Sequence, residues 1–475
     1  MRVMLIYPKD IADNYYAKRP VLSLAYLGTV LDQKNHVVEL LDMRCKDYDL
    51  SYFKKRFIDF KPEMVGFTMI ALSLDQAYEM MKFIREQKPD TKIVCGGPEV
   101  TLLPKKILER PEVDFAISGE GEYALPDLIQ CIEQGKDYSH IWGLGYKKDG
   151  QIFHKPAKNI ENLDALPFPD YDLFDLTKYR TTVRRIKWPV MTSRGCPYNC
   201  KFCDSIKVNL GYRVRSPKNV VDELEKLKNK YDASQFQVLD DNFAIYKERA
   251  LGICDEMIKR KLDMHWVVGQ GFSPSKGDPD LFKKMYDAGC RVLYFGVESA
   301  DDEVLRAIGK PHTVAQVRQA AKWAKEAGLV IKAPFISGLP KSSYAKEKKY
   351  IDFFKEVGID MPKMGQLIPF PGTPMYDWVK KNATRMFMGL DDMHEKASQS
   401  RGVLDTDLFK PAFETADFTV DERIKILKEF QHQSEKWILQ NTFGRTLGWL
   451  MFWASRYKPI RRLGVQFLDI YYTQF

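Results

Sequence analysis

At positions 193–204 the chain carries the stretch Ser193-Arg194-Gly195-Cys196-Pro197-Tyr198-Asn199-Cys200-Lys201-Phe202-Cys203-Asp204. Its three cysteines are spaced by four and then three residues, beside a glycine and a proline and just after an apolar run. Their side chains can converge on one soft metal centre and leave one metal position without a protein ligand. A four-iron cluster that only carries electrons takes four cysteine ligands. A loop with three cysteines therefore predicts an iron that stays free to bind another molecule.

Two other roles for these cysteines fit the sequence less well. A structural zinc site takes four protein ligands, usually as two closely spaced pairs, and no second pair lies nearby. Cys254 and Cys290 stand alone in segments with a helical pattern or at a helix end, where cysteine is more often a small buried hydrophobic residue. Disulfides are disfavoured because the other cysteines are scattered and the strand-like N-terminus is no secretory signal. We therefore expect a cytoplasmic protein.

The spacing of the cysteines and the aromatic residue at Phe202 resemble the C-x3-C-aromatic-x-C signature of the radical S-adenosylmethionine (SAM) superfamily. The resemblance implies that Cys196, Cys200 and Cys203 hold a [4Fe–4S] cluster and that SAM binds its open iron. It also implies that Phe202 leans over the cofactor beside the cluster. An electron donor such as flavodoxin or ferredoxin is implied as a partner.

Composition sets the scale of the molecule. The chain has 475 residues, of which 45% are hydrophobic and 29% charged, as expected for two or three globular domains. The formal net charge of +9 is modest for this length. Such an excess serves solubility, anionic ligands or a membrane surface, and it does not indicate nucleic-acid binding. Internal repeats are absent, so no repeat architecture is predicted.

Residues 1–150 show strand-like runs in alternation with helical patterns. This alternation predicts a parallel sheet with helices on both faces. Such a sheet binds its ligands at the carboxyl ends of the strands. The strand-like runs are 3–7, 37–41, 64–68, 92–95 and 115–118, and the helical patterns include 22–32 and 76–87.

The loops after these strands hold the candidate ligand-binding residues of this region. A glycine pair followed by proline lets the backbone approach a large flat ligand closely. The same residues also occur in ordinary strand-to-helix turns. A dinucleotide is disfavoured because no G-x-G-x-x-G follows the first strand. The candidates are Thr68, Gly96, Gly97, Pro98, Glu99, Thr101, Gly119, Glu120 and Glu122.

Taken in order, the segment resembles the N-terminal cobalamin-binding domain of the B12-dependent radical SAM class. The matching stretches include 24–28, 35–38, 65–68, 93–98 and 119–122. The resemblance implies a Rossmann-like domain over residues 1–150 that binds cobalamin. The chain lacks a D-x-H-x-x-G motif, so cobalamin is implied to bind without that histidine ligand. Glu99 stands where members of the class often carry histidine, and His36, at the start of a strand, is interpreted as structural.

Residues 151–185 are predicted to link two domains, because two prolines and several aromatic residues in 159–174 break any helix or strand period.

From residue 186 to 385 strands alternate with helices again, and polar residues recur where the strands end. Six strands predict an open, partial (β/α)6 barrel with the cysteine loop after its first strand, where α/β barrels place their chemistry. The predicted strands are 189–192, 236–239, 265–268, 292–297, 330–336 and 364–368.

Several of these strand ends match SAM-binding positions of the superfamily. The resemblance implies that Asp240 and Asp241 contact the methionyl amino group and that Glu298 and Ser299 form the G-x-E-S turn that meets SAM. It places Gly338 near adenine. The alternative for the two aspartates is helix capping, although two adjacent acids directly after an apolar strand favour a functional role. No residue is assigned as a general base.

Residues 386–475 leave the strand–helix rhythm and are predicted to form a helical C-terminal extension. A helix is predicted over 419–440, acidic at its start and basic towards its end. Residues 442–458 then place tryptophans between arginines and a lysine, in an apolar run shorter than the roughly 20 residues that span a bilayer. Two interpretations stay open. Residues 440–475 contact the inner face of the membrane as an interfacial helix, or they cover the barrel as a lid with aromatic core residues.

The combined resemblance implies an α/β enzyme that cleaves SAM to a 5′-deoxyadenosyl radical and methylates an unactivated carbon with the help of cobalamin. The demanding chemistry would belong to the cofactors. The tail, if interfacial, hints at an apolar or lipid-like substrate. One alternative is a radical cyclase or rearrangement enzyme of the anaerobic magnesium-protoporphyrin ester cyclase type. Another is a non-catalytic protein that binds cobalamin or senses redox state.

Overall fold

The computed structural model describes residues 1–9, 19–179, 186–208, 211–387 and 411–455. These residues form two compact units. The first unit holds the described residues of 1–179 and 207–213, and the second holds those of 186–206, 214–387 and 411–455. The first unit therefore includes most of the segment expected to be a linker, and the second includes the described part of the C-terminal extension.

A seven-stranded sheet forms the centre of the first unit. Its strands are β1 (Arg2–Tyr7), β2 (Val37–Asp42), β3 (Met64–Thr68), β4 (Lys92–Gly96), β5 (Phe115–Ile117), β6 (Leu144–Lys148) and β7 (Gln151–His154). They lie in the order β2-β1-β3-β4-β5-β6-β7. The first five strands run parallel, and β6 and β7 run antiparallel.

Helices cover both faces of this sheet, which explains the nearly continuous apolar runs of its parallel strands. Val3 to Ile6 in β1 are at most 2% exposed. The helices are α1 (Leu22–Gln33), α2 (Leu50–Phe60), α3 (Leu74–Gln87), α4 (Pro98–Leu102), α5 (Pro104–Leu108) and α6 (Gly121–Glu133), with short 3-10 turns at Ala71–Ser73, Leu163–Ala165, Tyr171–Leu173 and Leu176–Tyr179.

The hairpin of β6 and β7 was not among the predicted strands. Asp149 and Gly150 connect the two strands with φ angles of +51° and +72°, the backbone of a two-residue turn whose twist suits a hairpin. An Asp-Gly pair is a strong signal for such a turn. The hairpin does not follow the alternation of strands and helices on which the prediction rested, because its two strands extend an otherwise parallel sheet in the antiparallel sense.

A six-stranded parallel sheet forms the centre of the second unit. Its strands are β8 (Trp188–Val190), β11 (Gln235–Val238), β12 (His265–Phe272), β13 (Cys290–Phe295), β14 (Val330–Ser337) and β15 (Met361–Gln366); the short strands β9 (Ser193–Arg194) and β10 (Arg213–Val214) lie outside this sheet. The order β8-β11-β12-β13-β14-β15 follows the chain, which is the topology of the predicted partial (β/α)6 barrel.

The sixth strand begins earlier than predicted, at Met361 instead of Met364, and ends at Gln366 instead of Ile368. Its register on β14 pairs Met361 with Lys332 and Gln366 with Ser337. Pro362 and Lys363 weakened the strand pattern in the sequence. Both are tolerated because β15 is the edge strand of the sheet, where proline loses no ladder bond.

Side-chain caps mark the starts of most helices in the second unit. Ser216 caps the helix that begins at Pro217, Asp278 the one that begins at Pro279, and Thr313 forms a capping box with Gln316, as these residue types favour. The helices are α7 (Ser205–Val208), α8 (Pro217–Tyr231), α9 (Lys247–Lys259), α10 (Pro279–Asp287), α11 (Asp302–Ala307), α12 (Val314–Glu326), α13 (Tyr344–Val357) and α14 (Pro374–Asn382), with a 3-10 turn at Pro274–Lys276.

The described C-terminal part packs against the outside of this barrel. It comprises a small antiparallel pair, β16 (Ala383–Met386) and β17 (Phe413–Thr415), followed by the helices α15 (Val420–Phe443) and α16 (Arg445–Ala454). Phe430 of α15 lies 5.5 Å from Phe335 of β14 and 5.3 Å from Phe354 of α13 between ring centres. Among the described residues no helix is long and apolar enough to cross a membrane.

Helix α16 buries one face and exposes another. Gly448 and Phe452 are buried against α15; a Cβ at Gly448 would lie 2.4 Å from the carbonyl oxygen of Leu439. The opposite face carries Leu447, Trp449, Leu450 and Trp453, which are 44–53% exposed. The tryptophans of α16 are therefore not core residues of the barrel. Residues 456–475, which belong to the same predicted segment, lie outside the described residues.

Candidate cluster and cofactor sites

The cysteine loop leaves the carboxyl end of the first barrel strands through Gly195, whose φ is +81°. Cys196, Cys200 and Cys203 are half-buried free thiols. The amide of Cys203 donates to the carbonyl of Cys200 at 3.0 Å, which curls the loop into a turn. Neighbouring segments hold the peptide of Lys201 on both sides, since its amide donates to Ile308 at 2.9 Å and its carbonyl accepts from Met375 at 3.0 Å.

Burial raises the pKa of all three thiols, that of Cys203 to about 12. Cys200 interacts electrostatically with both Cys196 and Cys203, so the three thiols share one site. Across the described ranges, no group of three His, Cys, Asp or Glu side chains is close enough to hold a single metal ion. A cluster with several irons spreads its thiolate ligands over different iron atoms. Three thiol groups on one loop are the donors that an iron–sulfur cluster takes from a protein.

Asp240 supports the backbone that leads into the cysteine loop. Its carboxylate accepts hydrogen bonds from the Thr192 amide at 2.6 Å, the Thr192 hydroxyl at 2.5 Å and the Ser193 hydroxyl at 2.6 Å. The Arg249 guanidinium lies 3.7 Å away, and both side chains are nearly fully buried. Asp240 is therefore a positioning residue that holds Thr192 and Ser193, the residues that lead into the cysteine loop. Asp240 caps no helix among the described residues, and its contact with the methionyl amino group of SAM stays a prediction.

Asp241 points to the cysteines instead. Its carboxylate accepts a hydrogen bond from the Ser205 hydroxyl at 2.7 Å and acts electrostatically on the thiols of Cys196 and Cys203. Gly271 of β12 lets the next strand approach, because a Cβ there would lie 1.8 Å from the Asp241 carbonyl oxygen. Of the two adjacent aspartates, Asp241 is thus the one whose charge acts on the thiols of Cys196 and Cys203.

Glu298 occupies a strained position between two strands. Its φ is +64°, unusual for a residue with a side chain. Its amide donates to Pro334 and its carbonyl accepts from Ile336, both at 2.9 Å, so β14 fixes its backbone. Its carboxylate lies 3.3 Å from the Lys310 ammonium. Strain held by surrounding bonds is frequent at ligand sites.

Lys310 is a site residue that the sequence analysis missed. Burial alone would lower the pKa of Lys310, but Glu298 and the thiols of Cys200 and Cys203 raise it overall, so the side chain stays an ammonium. Its nitrogen lies 5.8 Å from the centre of the Phe202 ring. Lys310 follows the helix α11 instead of a strand, which is why a search for polar residues at strand ends did not find it.

Ser299 and Phe202 make structural contacts. The Ser299 hydroxyl is fully buried, lies 2.8 Å from the Tyr350 hydroxyl and accepts from the Asp301 amide at 3.2 Å. Phe202 packs on the apolar cluster that includes Ile308 and Leu339. These partners hold Ser299 inside the core and place Phe202 at the edge of the apolar cluster, and the contacts of both residues with SAM stay predictions.

Gly338 is explained by a contact with the C-terminal helix α15. Its φ is +86°, and a Cβ would lie 2.7 Å from the guanidinium of Arg423. Its amide donates to the buried carboxylate of Glu347 at 2.8 Å. Burial raises the pKa of Glu347 to about 7 and lowers that of Arg423 to about 10. Neither charged residue was predicted, since no local motif marks them.

In the first unit, the loops after β4 and β5 are tied together. Gly97 has a φ of +99°, and a Cβ would lie 3.0 Å from the carbonyl oxygen of Met69. The Thr101 hydroxyl donates to Gly97 at 3.0 Å and accepts from the Gly119 amide at 2.8 Å. Thr68 and Gly96 end neighbouring strands at the same edge. The glycines thus let bare backbone line this edge of the sheet, as a large planar ligand requires.

The acidic candidates of this edge differ in their surroundings. Glu120 accepts hydrogen bonds from the Ile160 amide at 2.6 Å and the Arg213 guanidinium at 2.7 Å, so its carboxylate is engaged by the protein. Glu99 and Glu122 are buried, in the first turns of α4 and α6, and Pro98 begins α4. His36 lies 3.4 Å from the amino terminus and 3.9 Å from Glu133, in agreement with a structural role.

Two family models match the chain. The model of the radical SAM superfamily covers residues 190–354, and the model of the B12 binding domain covers residues 8–129. An uncharacterised methyltransferase of Pyrococcus horikoshii is 33% identical over 388 residues, which are 80% of this chain and 84% of that protein.

The chain belongs to the B12-binding radical SAM family. The anaerobic magnesium-protoporphyrin IX monomethyl ester cyclase of Rubrivivax gelatinosus is 29% identical over 391 residues, 79% of this chain and 69% of that protein. Membership of the family confirms the predicted cofactors, which are a [4Fe–4S] cluster, SAM and cobalamin.

A solved structure shares the fold. The cobalamin-dependent S-adenosylmethionine radical enzyme OxsB matches with a TM-score of 0.72 at 17% identity, over 95% of this chain and 74% of that chain. The match confirms the predicted α/β class, with a B12-binding domain before a radical SAM domain.

Proposed function

We propose that this radical SAM enzyme transfers a methyl group to an unactivated carbon of an apolar or lipid-like small molecule. The observation that carries the proposal is the likeness to a methyltransferase over four fifths of the chain, across both the B12-binding and the radical SAM regions. When bound, the cluster, SAM and cobalamin supply the radical and the methyl group.

The chain's own residues would hold these groups and exclude water. Cys196, Cys200 and Cys203 would bind the cluster, and Asp241 and Glu298 would offer carboxylates to the SAM amino group beside it. The Gly97 loop would receive cobalamin against bare backbone. Half-burial of the three thiols supports this assignment, because a reactive radical needs a site closed to solvent.

The test uses the full enzyme, reconstituted anaerobically with iron, sulfide and cobalamin and reduced by a flavodoxin-type donor. It receives SAM with a deuterated methyl group and a lipid extract from cells that lack the gene. A methyltransferase yields a labelled product together with 5′-deoxyadenosine and S-adenosylhomocysteine. If 5′-deoxyadenosine forms but no label leaves SAM, carbon methylation is wrong.

A radical cyclase is the second candidate function, and the likeness to the magnesium-protoporphyrin ester cyclase of Rubrivivax gelatinosus favours it. The same experiment separates the two, because a cyclase would form 5′-deoxyadenosine without S-adenosylhomocysteine. If neither product forms with any extract, a binding or sensing protein explains the data better.

We also propose that the exposed face of α16 rests on an anionic bilayer. The face carries two tryptophans and two leucines, and Arg445 lies exposed at the start of the helix. The sequence from Arg456 to Arg462 adds four basic residues and no acidic one. Tryptophan beside basic residues is typical of helices that lie in the membrane interface, and this position would give access to an apolar substrate.

Vesicle flotation tests the membrane contact with the full-length protein. We expect flotation with phosphatidylcholine vesicles that contain phosphatidylglycerol, and a loss of about tenfold or more in the double variant Trp449→Ser, Trp453→Ser. Trp142→Ser is the matched control, because Trp142 is as exposed but lies in the first unit. Equal flotation of both variants, or none with the unchanged protein, contradicts the proposal.

A further inference from the structure

The turn after α11 lies directly against the cysteine loop. Gly309, with a φ of +73°, would place a Cβ 3.0 Å from the carbonyl oxygen of Asn199 and 3.9 Å from the Cα of Cys200. The residue before it, Ile308, accepts the hydrogen bond from the Lys201 amide. Lys310, the next residue, is therefore held at a fixed place beside the cysteines.

Lys310 and Glu298 form a shielded ion pair at this place. Their side chains are 11% and 10% exposed, and the ammonium and carboxylate lie 3.3 Å apart. Gly296 makes room for them, since a Cβ there would lie 3.1 Å from the Lys310 nitrogen and 3.4 Å from a Glu298 carboxylate oxygen. Solvent screens such charges little, so each acts strongly on its surroundings.

We infer that Lys310 and Glu298 set the reduction potential of the cluster bound by Cys196, Cys200 and Cys203. The cluster gains one electron from the donor and becomes more negative, without any bond being formed or broken. A fixed positive charge nearby stabilises the reduced cluster, and a fixed negative charge destabilises it. Lys310 therefore raises the potential and Glu298 lowers it. The inference rests on the cluster alone and requires no particular substrate.

The test is a redox titration of the reconstituted full-length enzyme, followed by the electron paramagnetic resonance signal of the reduced cluster, without SAM or substrate. In Lys310→Met we expect the ratio of reduced to oxidised cluster at a fixed potential to fall about tenfold, which is about 59 mV for one electron. In Glu298→Gln the ratio is expected to rise by a similar factor. The double variant should return to within about twofold of the unchanged enzyme.

Two further variants separate charge from structure. Lys310→Arg keeps the charge, and Lys201→Met removes an exposed lysine of the same loop; both are expected to stay within about twofold. If Lys310→Met loses its cluster, judged by iron and sulfide content, the rise in the ratio of reduced to oxidised cluster that is expected in Glu298→Gln tests the inference on its own. Equal potentials in all variants, or shifts of one sign for Lys310→Met and Glu298→Gln, overturn the inference. Methylation can fail while these shifts are seen, so the two proposals are tested separately.

Discussion

At the residue scale, Asp240 and Asp241 are adjacent acids in the sequence but have different interactions in the structure. The two residues follow the end of β11 at Val238. The sequence shows two acids after a strand. The tertiary structure decides which of them accepts hydrogen bonds from the residues before the cysteine loop and which of them acts electrostatically on the thiols. Asp240 takes three hydrogen bonds from Thr192 and Ser193, and the charge of Asp241 raises the pKa of the Cys196 and Cys203 thiols.

Asp240→Ala is expected to lower the free energy of unfolding of the second unit by about 3–5 kcal/mol, because it leaves the buried Arg249 without its counter-charge. Asp241→Ala removes the hydrogen bond from the Ser205 hydroxyl, which is worth about 1 kcal/mol. Urea unfolding of the cluster-free protein, followed by circular dichroism, measures both. Equal losses would show that Asp240 has no special supporting role.

Replacing Cys196, Cys200 or Cys203 by alanine is expected to abolish the formation of 5′-deoxyadenosine, because two thiolates do not hold a site-differentiated cluster. Cobalamin binding should stay within about twofold, since the B12-binding region is a separate part of the sequence. Cys254→Ala, a buried cysteine of α9, is the control. Activity retained in any of the three loop variants would remove that cysteine from the ligand set.

At the element scale, the loop between β4 and α4 depends on Gly97. Gly97→Ala combines a left-handed backbone with a close approach to Met69, so we expect a loss of about 1–3 kcal/mol in stability and at least tenfold weaker cobalamin binding. Gly135→Ala is the matched control. It also has a positive φ, but nothing lies within 4 Å of its added Cβ, so it should lose about 1 kcal/mol and no cobalamin affinity.

The sequence predicted well those strands whose own residues carry a clear pattern of burial. β1, β3 and β4 read as apolar runs because both faces of a parallel sheet are buried. The β6–β7 hairpin and the start of β15 were missed, since the first is antiparallel at the end of a parallel sheet and the second lies at an edge that tolerates Pro362 and Lys363. Local composition does not tell an edge strand from a loop.

At the scale of the whole molecule, the C-terminal helix α15 reaches back to the barrel through Arg423, close to Glu347 and Gly338. This convergence of distant segments has no signal in the sequence, in contrast to the cysteines, which lie within eight residues. The grouping of the three cysteines was therefore predictable, and the positions of Lys310, Glu347 and Arg423 were not.

Glu347 makes the stability of the protein depend on pH. Its pKa is raised to about 7 from 4.5 in the unfolded chain. The folded state therefore retains a proton that the unfolded state releases, and the free energy of unfolding should fall as pH rises from about 4.5 to about 7, by up to about 3 kcal/mol. Glu347→Gln, which keeps an acceptor for the Gly338 amide, should flatten this fall. Urea unfolding at pH 5 and pH 8 measures the fall in the free energy of unfolding. An identical fall in the unchanged protein and in Glu347→Gln would contradict the raised pKa of Glu347.

The peptide of Lys201 bears on how the enzyme matures. Its hydrogen bonds to Ile308 and Met375 tie the middle of the cysteine loop to two other segments of the second unit. A substitution that displaces either segment would therefore also displace the peptide between Cys200 and Phe202. Assembly of the cluster is thus linked to the packing of the turn after α11 and of the start of α14.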